Sequence, residues 1–287
     1  HAETRLMMGT FVTVTTYGLS EAHASEAMSG AFAAMSRAEA LLTRFDSSSA
    51  LGQLNAAGSL RDLPAEAVEV ISAASRVHQR TGGAFDPTVL PMIEALEKGA
   101  GLEDARALVG MGRVRMDGHT VRFEREGMKM SLDGIAKGYI ADLGAKHLLR
   151  AGVRDFLINA GGDIVAHGSK AGKPWKVAVE NPGKYEGRTD YPAVCALKGQ
   201  AMATSGNYES AAKACKDLAK ISAMLGYYSA GKQRCLLKRK RIARISRFLQ
   251  GLDRIELTVH VHITTVEYYF FIFYTFKRYL YRKLSVE

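Results

Sequence analysis

Between Ser20 and Arg44 the apolar residues Met28, Phe32, Met35 and Leu42 recur at helical spacing, with alanines filling between them. That pattern predicts a long helix with one buried face, and its methionines read as core rather than as ligands. Ahead of it, residues 8–17 alternate and are rich in β-branched side chains, which predicts a strand. After the break at Phe45-Asp46-Ser47-Ser48-Ser49, a short segment to Asn55 leads into the loop Ala56-Ala57-Gly58. A second helix begins near Pro64, because proline suits a first helical turn. Val68, Ile71 and Ala74 form its expected buried stripe, and Thr81-Gly82-Gly83 its stop. His78 in its last turn is placed to interact with the helix dipole rather than to catalyse.

Further along, residues 91–101 read as a short helix or loop and residues 102–109 as another short helix. Residues 114–123 read as a hairpin around Asp117-Gly118. A helix then runs through Ile140, Leu143 and Leu148 to Gly152. Residues 156–159 form a buried strand that runs into Ala160-Gly161-Gly162-Asp163, with residues 164–166 as its continuation; residues 175–179 and 193–197 are further strands. The order mixes types without regular βαβ alternation, which places the chain in the α+β class rather than among doubly wound sheets.

The chemistry gathers in polar, glycine-bearing loops between these elements. In Ser131-Leu132-Asp133-Gly134-Ile135-Ala136-Lys137-Gly138-Tyr139 a strand-to-helix junction combines an acid, two glycines and a lysine. Glycine allows close approach of a ligand, and a helix N-terminus offers unpaired N–H groups to an anion. A tight turn with a surface lysine is the alternative. Gly82-Gly83-Ala84-Phe85-Asp86-Pro87-Thr88 reads as a rigid loop with an exposed carboxylate, since Asp before Pro is held extended; an ordinary Asp-Pro turn is the alternative there.

Composition changes this picture only at the C-terminal end. The 287 residues are 47% hydrophobic and 24% charged, with net charge +10. Residues 1–209 carry 23 Lys+Arg against 24 Asp+Glu, whereas residues 210–287 carry 16 against 5. Any anionic partner inferred from the overall basicity therefore concerns the tail alone. Cys195, Cys215 and Cys235 form neither a disulfide framework nor a metal pattern. The chain opens on His1 with no visible signal peptide, and one could have preceded it.

Taken in order, Met8-Gly9-Thr10, the 81–87 loop, residues 132–139, Asn159-Ala160-Gly161-Gly162-Asp163 and Ala203-Thr204-Ser205-Gly206-Asn207-Tyr208 make a specific set. From about Arg5 to Glu209 the chain resembles the ApbE family, the FAD:protein FMN transferases. The resemblance implies an α+β, T-fold-related architecture of mixed sheets with packed helices. It implies a Mg²⁺-dependent enzyme that binds FAD and moves its FMN half onto a Thr or Ser hydroxyl of a flavin-acceptor protein, releasing AMP. It also implies a bacterial, periplasmic setting, with a membrane anchor ahead of the first residue. By the same resemblance Met8 contacts the flavin, and Phe45 stands where members often carry a tyrosine beside the isoalloxazine. Ala84, Phe85 and Asp86 line the FAD site. Ser131 stands where many members carry Asp, with Asp133 as a partial substitute. Gly134 offers its carbonyl to the metal and Lys137 meets the FAD. Gly161, Gly162 and Asp163 shape the pocket wall, with Thr204 and Ser205 as further pocket residues.

The family pattern stops after Tyr208. The segments His-Ile-(Ile/Leu)-Asp-Pro-x-Thr-Gly and Asp-Ala-x-x-Thr, which the resemblance would place next and which complete the metal site, do not follow. Residues 1–209 are therefore one expected domain and residues 210–287 a basic, aromatic-rich segment. Residues 211–223 read as a short helix, and a basic run follows at Lys238-Arg239-Lys240-Arg241. Tyr268-Tyr269-Phe270-Phe271-Ile272-Phe273-Tyr274 stands at the heart of the end. Three readings stay open: a tail produced by a frame change near codon 209, a tail that binds anionic surfaces such as nucleic acid or membrane, and a flavin-binding protein without transferase activity.

Overall fold

The computed structural model describes residues 1–179, 191 and 193–204. The expectations for Ser205 and for residues 211–223, 238–241 and 268–274 lie outside the described residues. The chain opens with β1 (Ala2–Met7) and β2 (Thr10–Thr16), followed by α1 (Glu21–Leu42), α2 (Ala50–Ala57), β3 (Ser59–Leu60) and α3 (Ala65–Arg80). A 3-10 turn over Pro87–Val89 leads to α4 (Leu90–Glu97) and α5 (Glu103–Ala107). Next come β4 (Val114–Asp117), β5 (Thr120–Phe123) and α6 (Ala136–Arg150), then β6 (Phe156–Ala160), β7 (Asp163–His167), β8 (Trp175–Val179), β9 (Ala193–Leu197) and β10 (Gln200–Ala203).

A five-stranded antiparallel sheet in the order β1-β2-β6-β7-β10 forms the centre. Period-two alternation directs Val12 and Val14 of β2 and Phe156, Ile158 and Ala160 of β6 to one face, where all are fully buried. α1 and α6 cover that face and pack closely on each other. Glycine makes the close approach possible. A Cβ on Gly144 would lie 2.9 Å from Met35 Sδ, and one on Gly30 would lie 2.1 Å from His147 Nε2. On the other face Ile164, Ala166, Trp175, Cys195 and Leu197 form a second, smaller core under the β8–β9 hairpin.

The helices fall where the apolar spacing placed them. Ser20 caps α1 by accepting the His23 N–H, and Met28, Phe32, Met35 and Leu42 are buried. The buried stripe of α3 runs through Ala67, Val70, Ile71, Ala74 and Val77, with Val68 at its edge.

Three expectations are corrected. The strand expected over residues 8–17 begins only at Thr10: the chain reverses at Met8-Gly9, whose φ values of 52° and 67° suit a two-residue hairpin turn, and Met7 pairs with Thr10. Residues 164–166 do not continue the preceding strand; Gly161 and Gly162 take φ of 61° and 98°, and Asp163 folds back opposite Ala160. No strand precedes Ser131 directly either. Residues 128–132 are irregular and largely buried, held where Asn55 both donates to the Met130 carbonyl (2.8 Å) and accepts from its N–H (2.7 Å). The junction is therefore loop to helix.

Candidate functional site

The two hairpin turns just described meet. A Cβ on Gly161 would lie 2.5 Å from Thr10 Oγ1, so the β1–β2 turn and the β6–β7 turn are packed backbone to side chain. The Met8 N–H donates to Glu39 Oε1 at 2.6 Å, which fixes the first turn to the C-terminal half of α1. The second turn is fixed by the Gly162 N–H donating to Asn159 Oδ1 (3.0 Å). The Gly162 carbonyl accepts the Thr204 N–H (3.1 Å). Thr204 is thereby held against this turn.

Asp163 follows directly and is half-buried beside Lys137, which stands in the first turn of α6. Burial pushes the Asp163 carboxyl up to about 6, while the Lys137 charge pulls it the other way. The start of α6 has no side-chain cap. Among the described residues, no acceptor meets the N–H groups of Gly134, Lys137 and Gly138. These N–H groups and Lys137 stand together at the start of α6, an arrangement that can receive an anion.

The 84–88 loop abuts this corner, because the Ser131 N–H donates to the Pro87 carbonyl at 2.8 Å. Asp86, however, is not an exposed carboxylate. It is buried, and its oxygens accept from Thr88 N–H (2.8 Å), Thr88 Oγ1 (2.6 Å) and Met111 N–H (3.2 Å), with His78 Nδ1 at 3.4 Å. Its role in the fold is to hold the loop on which Ala84 and Phe85 stand. Phe85 is half-buried against the main core and Ala84 is exposed. His78 sits with Nδ1 2.9 Å from the Phe85 carbonyl, a structural position.

Asp133, expected as a partial substitute for an acid at Ser131, is turned toward Arg44. Its carboxylate takes the Arg44 Nε–H at 2.7 Å, and Ser131 is buried with its hydroxyl accepting the Asp133 N–H. Arg44 in turn lies 4.1 Å from the centroid of the Phe45 ring, which brings that exposed aromatic to the same corner. Arg44, Glu39 and Asn55 were not singled out from sequence. Arg44 beside an aromatic at a helix end was the one visible signal.

Among the described residues, the donors near the Gly134 carbonyl do not make up the expected Mg²⁺ site. Such an ion takes six oxygens, usually with one or two protein carboxylates. Here the Gly134 carbonyl has Asp133 paired with Arg44, Asp86 enclosed, and Asp163 opposed by Lys137. No group of three His, Cys, Asp or Glu suited to a metal occurs among the described residues. A separate cavity of about 410 Å³ lies between α1, α3 and α6, lined by residues including Arg37, Glu69, Tyr139 and Lys146 and by none of the rim residues. The Tyr139 hydroxyl donates to Glu69 at 2.8 Å there; burial and that carboxylate raise it well above its usual range.

A family model described as the ApbE family matches residues 8–222. The FAD:protein FMN transferase of Rhodobacter capsulatus is 30% identical over 222 residues, covering 72% of this chain and 42% of that protein. The protein of the same description from Klebsiella pneumoniae is 28% identical, covering 71% and 63%. The chain thus spans less than two thirds of these relatives. The crystal structure of the apo form of the Pseudomonas stutzeri flavinyl transferase ApbE superposes with a TM-score of 0.63 at 25% identity, covering 74% of this chain and 72% of that one. The part beyond residue 222 is unmatched.

Proposed function

The chain belongs to the ApbE family, and from that premise we propose that it binds FAD and transfers the FMN half to a Thr or Ser hydroxyl of an acceptor protein. The observation that carries the proposal is the convergence of the motif loops, as far as Thr204, on one rim. The Met8-Gly9 turn touches the Gly161-Gly162 turn, Thr204 bonds to Gly162, Lys137 faces Asp163, and the 84–88 loop is bonded to Ser131. Nothing in a packed core requires five polar loops from distant parts of the chain to meet. A ligand with an aromatic end and a pyrophosphate does.

In this reading the Gly134, Lys137 and Gly138 N–H groups and the Lys137 ammonium receive the pyrophosphate. Preorganised donors of this kind stabilise the charge that develops on phosphate oxygens. Met8, Phe45 and Phe85 offer apolar surface to the isoalloxazine. In the transfer the acceptor hydroxyl oxygen bonds to the FMN phosphorus, the bridging P–O bond to the AMP side breaks, AMP leaves with that oxygen, and the hydroxyl proton is released to solvent. The described residues do not by themselves form a Mg²⁺ site.

A second reading, FAD binding without transfer, is favoured by the engagement of Asp86 and Asp133 within the protein. One experiment separates the two. The full chain is incubated with FAD, Mg²⁺ and a folded flavin-acceptor domain, and covalent flavin is followed by in-gel fluorescence. Acceptor fluorescence that survives denaturation supports the transferase. Bound FAD with a dark acceptor supports the second reading.

A further inference from the structure

The loop that follows α1 is braced at almost every residue. The Thr43 N–H donates to the Glu39 carbonyl, Ser49 Oγ donates to the Thr43 carbonyl, and the Phe45 N–H donates to Thr43 Oγ1 at 3.3 Å. Asp46 accepts from both the N–H and the hydroxyl of Ser48, which holds its carboxyl below the usual range. The backbone under Phe45 is therefore fixed. Its ring is not enclosed, being 78% exposed.

Arg44 is the opposite case. Its side chain is only 15% exposed although it carries a full charge, and two contacts account for its position. Nε donates to Asp133 Oδ2 at 2.7 Å, and the guanidinium carbon lies 4.1 Å from the Phe45 centroid. The first contact crosses from the end of α1 to the residue before Gly134. The second is a cation–π contact on one face of an otherwise open ring.

We propose that Arg44 is a positioning residue for the flavin: clamped by Asp133, its planar guanidinium supports one face of Phe45 and leaves the other open to the isoalloxazine. This rests on the FAD-binding reading above. Arginine is suited to the task because its rigid plane can pair edge-on with a carboxylate while stacking face-on with an aromatic, which a lysine ammonium cannot do. The arrangement also couples two halves of the rim. Whatever seats the flavin ring on Phe45 is tied through Asp133 to the corner that receives the phosphates.

The test uses the full chain in two arms. Without ligand, F45W serves as a fluorescent reporter, and adding R44A raises its acrylamide quenching about 1.5-fold, whereas adding R44K raises it nearly as much. With ligand, R44A weakens FAD binding about 5-fold and leaves ADP, which lacks the flavin, within 2-fold of wild type. R44K weakens FAD almost as much as R44A, D133N weakens it about 2-fold, and R44A/F45A binds no more weakly than F45A alone. Equal weakening of FAD and ADP, additive effects of R44A and F45A, or full rescue by lysine overturns the inference, because each makes Arg44 a direct phosphate contact or a point charge. Unchanged quenching of F45W by R44A overturns it in the absence of any ligand. A wild-type chain that binds ADP but not FAD, with the quenching response intact, contradicts the FAD reading instead.

Discussion

The Asp86 loop and the Gly161-Gly162-Asp163 turn look alike in sequence, each placing two glycines ahead of an aspartate, yet the two carboxylates have opposite roles. Asp86 is enclosed by donors from its own loop and from Met111, 25 residues on, and nothing in its surroundings is left for a ligand. Asp163 is half-buried and has no such donors among the described residues; burial raises its carboxyl to about 6, and the Lys137 charge works the other way. An aspartate after a glycine pair is enclosed in one place and left facing a lysine in the other. The difference lies in which distant groups arrive, and that is a property of the fold.

The largest expected effect breaks the scaffold side of this comparison. D86A leaves the Thr88 N–H, the Thr88 hydroxyl and the Met111 N–H without their acceptor in a buried place. Buried groups left unpaired cost 1–3 kcal/mol each, so a loss of about 3 kcal/mol is expected after relaxation. Urea denaturation followed by circular dichroism measures it, and a loss below about 1 kcal/mol would return Asp86 to the ligand-facing role expected from sequence.

The next effect tests the site side through pH. The Asp163 pKa in the folded chain is raised above its value of 3.8 in the unfolded chain to about 6, so the folded state holds the proton longer. The stability this group contributes is fully present below about pH 4 and is lost as pH rises through about 6. D163N holds a neutral group at every pH. It is expected to flatten that part of the stability profile and to be on the order of 2 kcal/mol more stable than wild type at pH 7. Parallel wild-type and D163N profiles between pH 4 and 7 would contradict the assignment.

The smallest effect sharpens the link between the two regions. Ser131 joins them through its backbone N–H to Pro87, while its hydroxyl only accepts the Asp133 N–H at 3.2 Å. S131A keeps the first bond and is expected to cost about 0.5–1 kcal/mol, with Ala84 and Phe85 unmoved by NMR chemical shift. A loss as large as that of D86A would mean that the hydroxyl, not the backbone, carries the connection.

How far these features could be read in the sequence follows the range of the interactions behind them. α1 was legible because its buried residues are spaced by the helix itself, and α3 because Pro64 and Thr81-Gly82-Gly83 bracket it. The second hairpin turn was read through as strand, since apolar residues continue on either side of a two-residue turn, and the first was taken as the start of β2. Gly161-Gly162 carried the signal that could have corrected this, and Met8 at positive φ did not. The motif loops of the rim were all visible, but their meeting was not. Contacts such as Ser131 to Pro87, Gly162 to Thr204 and Arg44 to Asp133 join residues 42 to 89 apart, and no local pattern encodes them. The enclosure of Asp86 was invisible for the same reason.

The claim that the rim binds FAD through the α6 corner is tested most directly by titrating FAD into the full wild-type chain and K137A, read by flavin fluorescence, with thermal melts of both. The account predicts saturable binding by wild type, about 10-fold weaker binding by K137A, corresponding to about 1.4 kcal/mol, and a K137A that melts cooperatively, slightly below wild type because Asp163 loses the neighbouring charge. No saturable binding by a folded wild-type chain, or equal affinities for the two proteins, would contradict it.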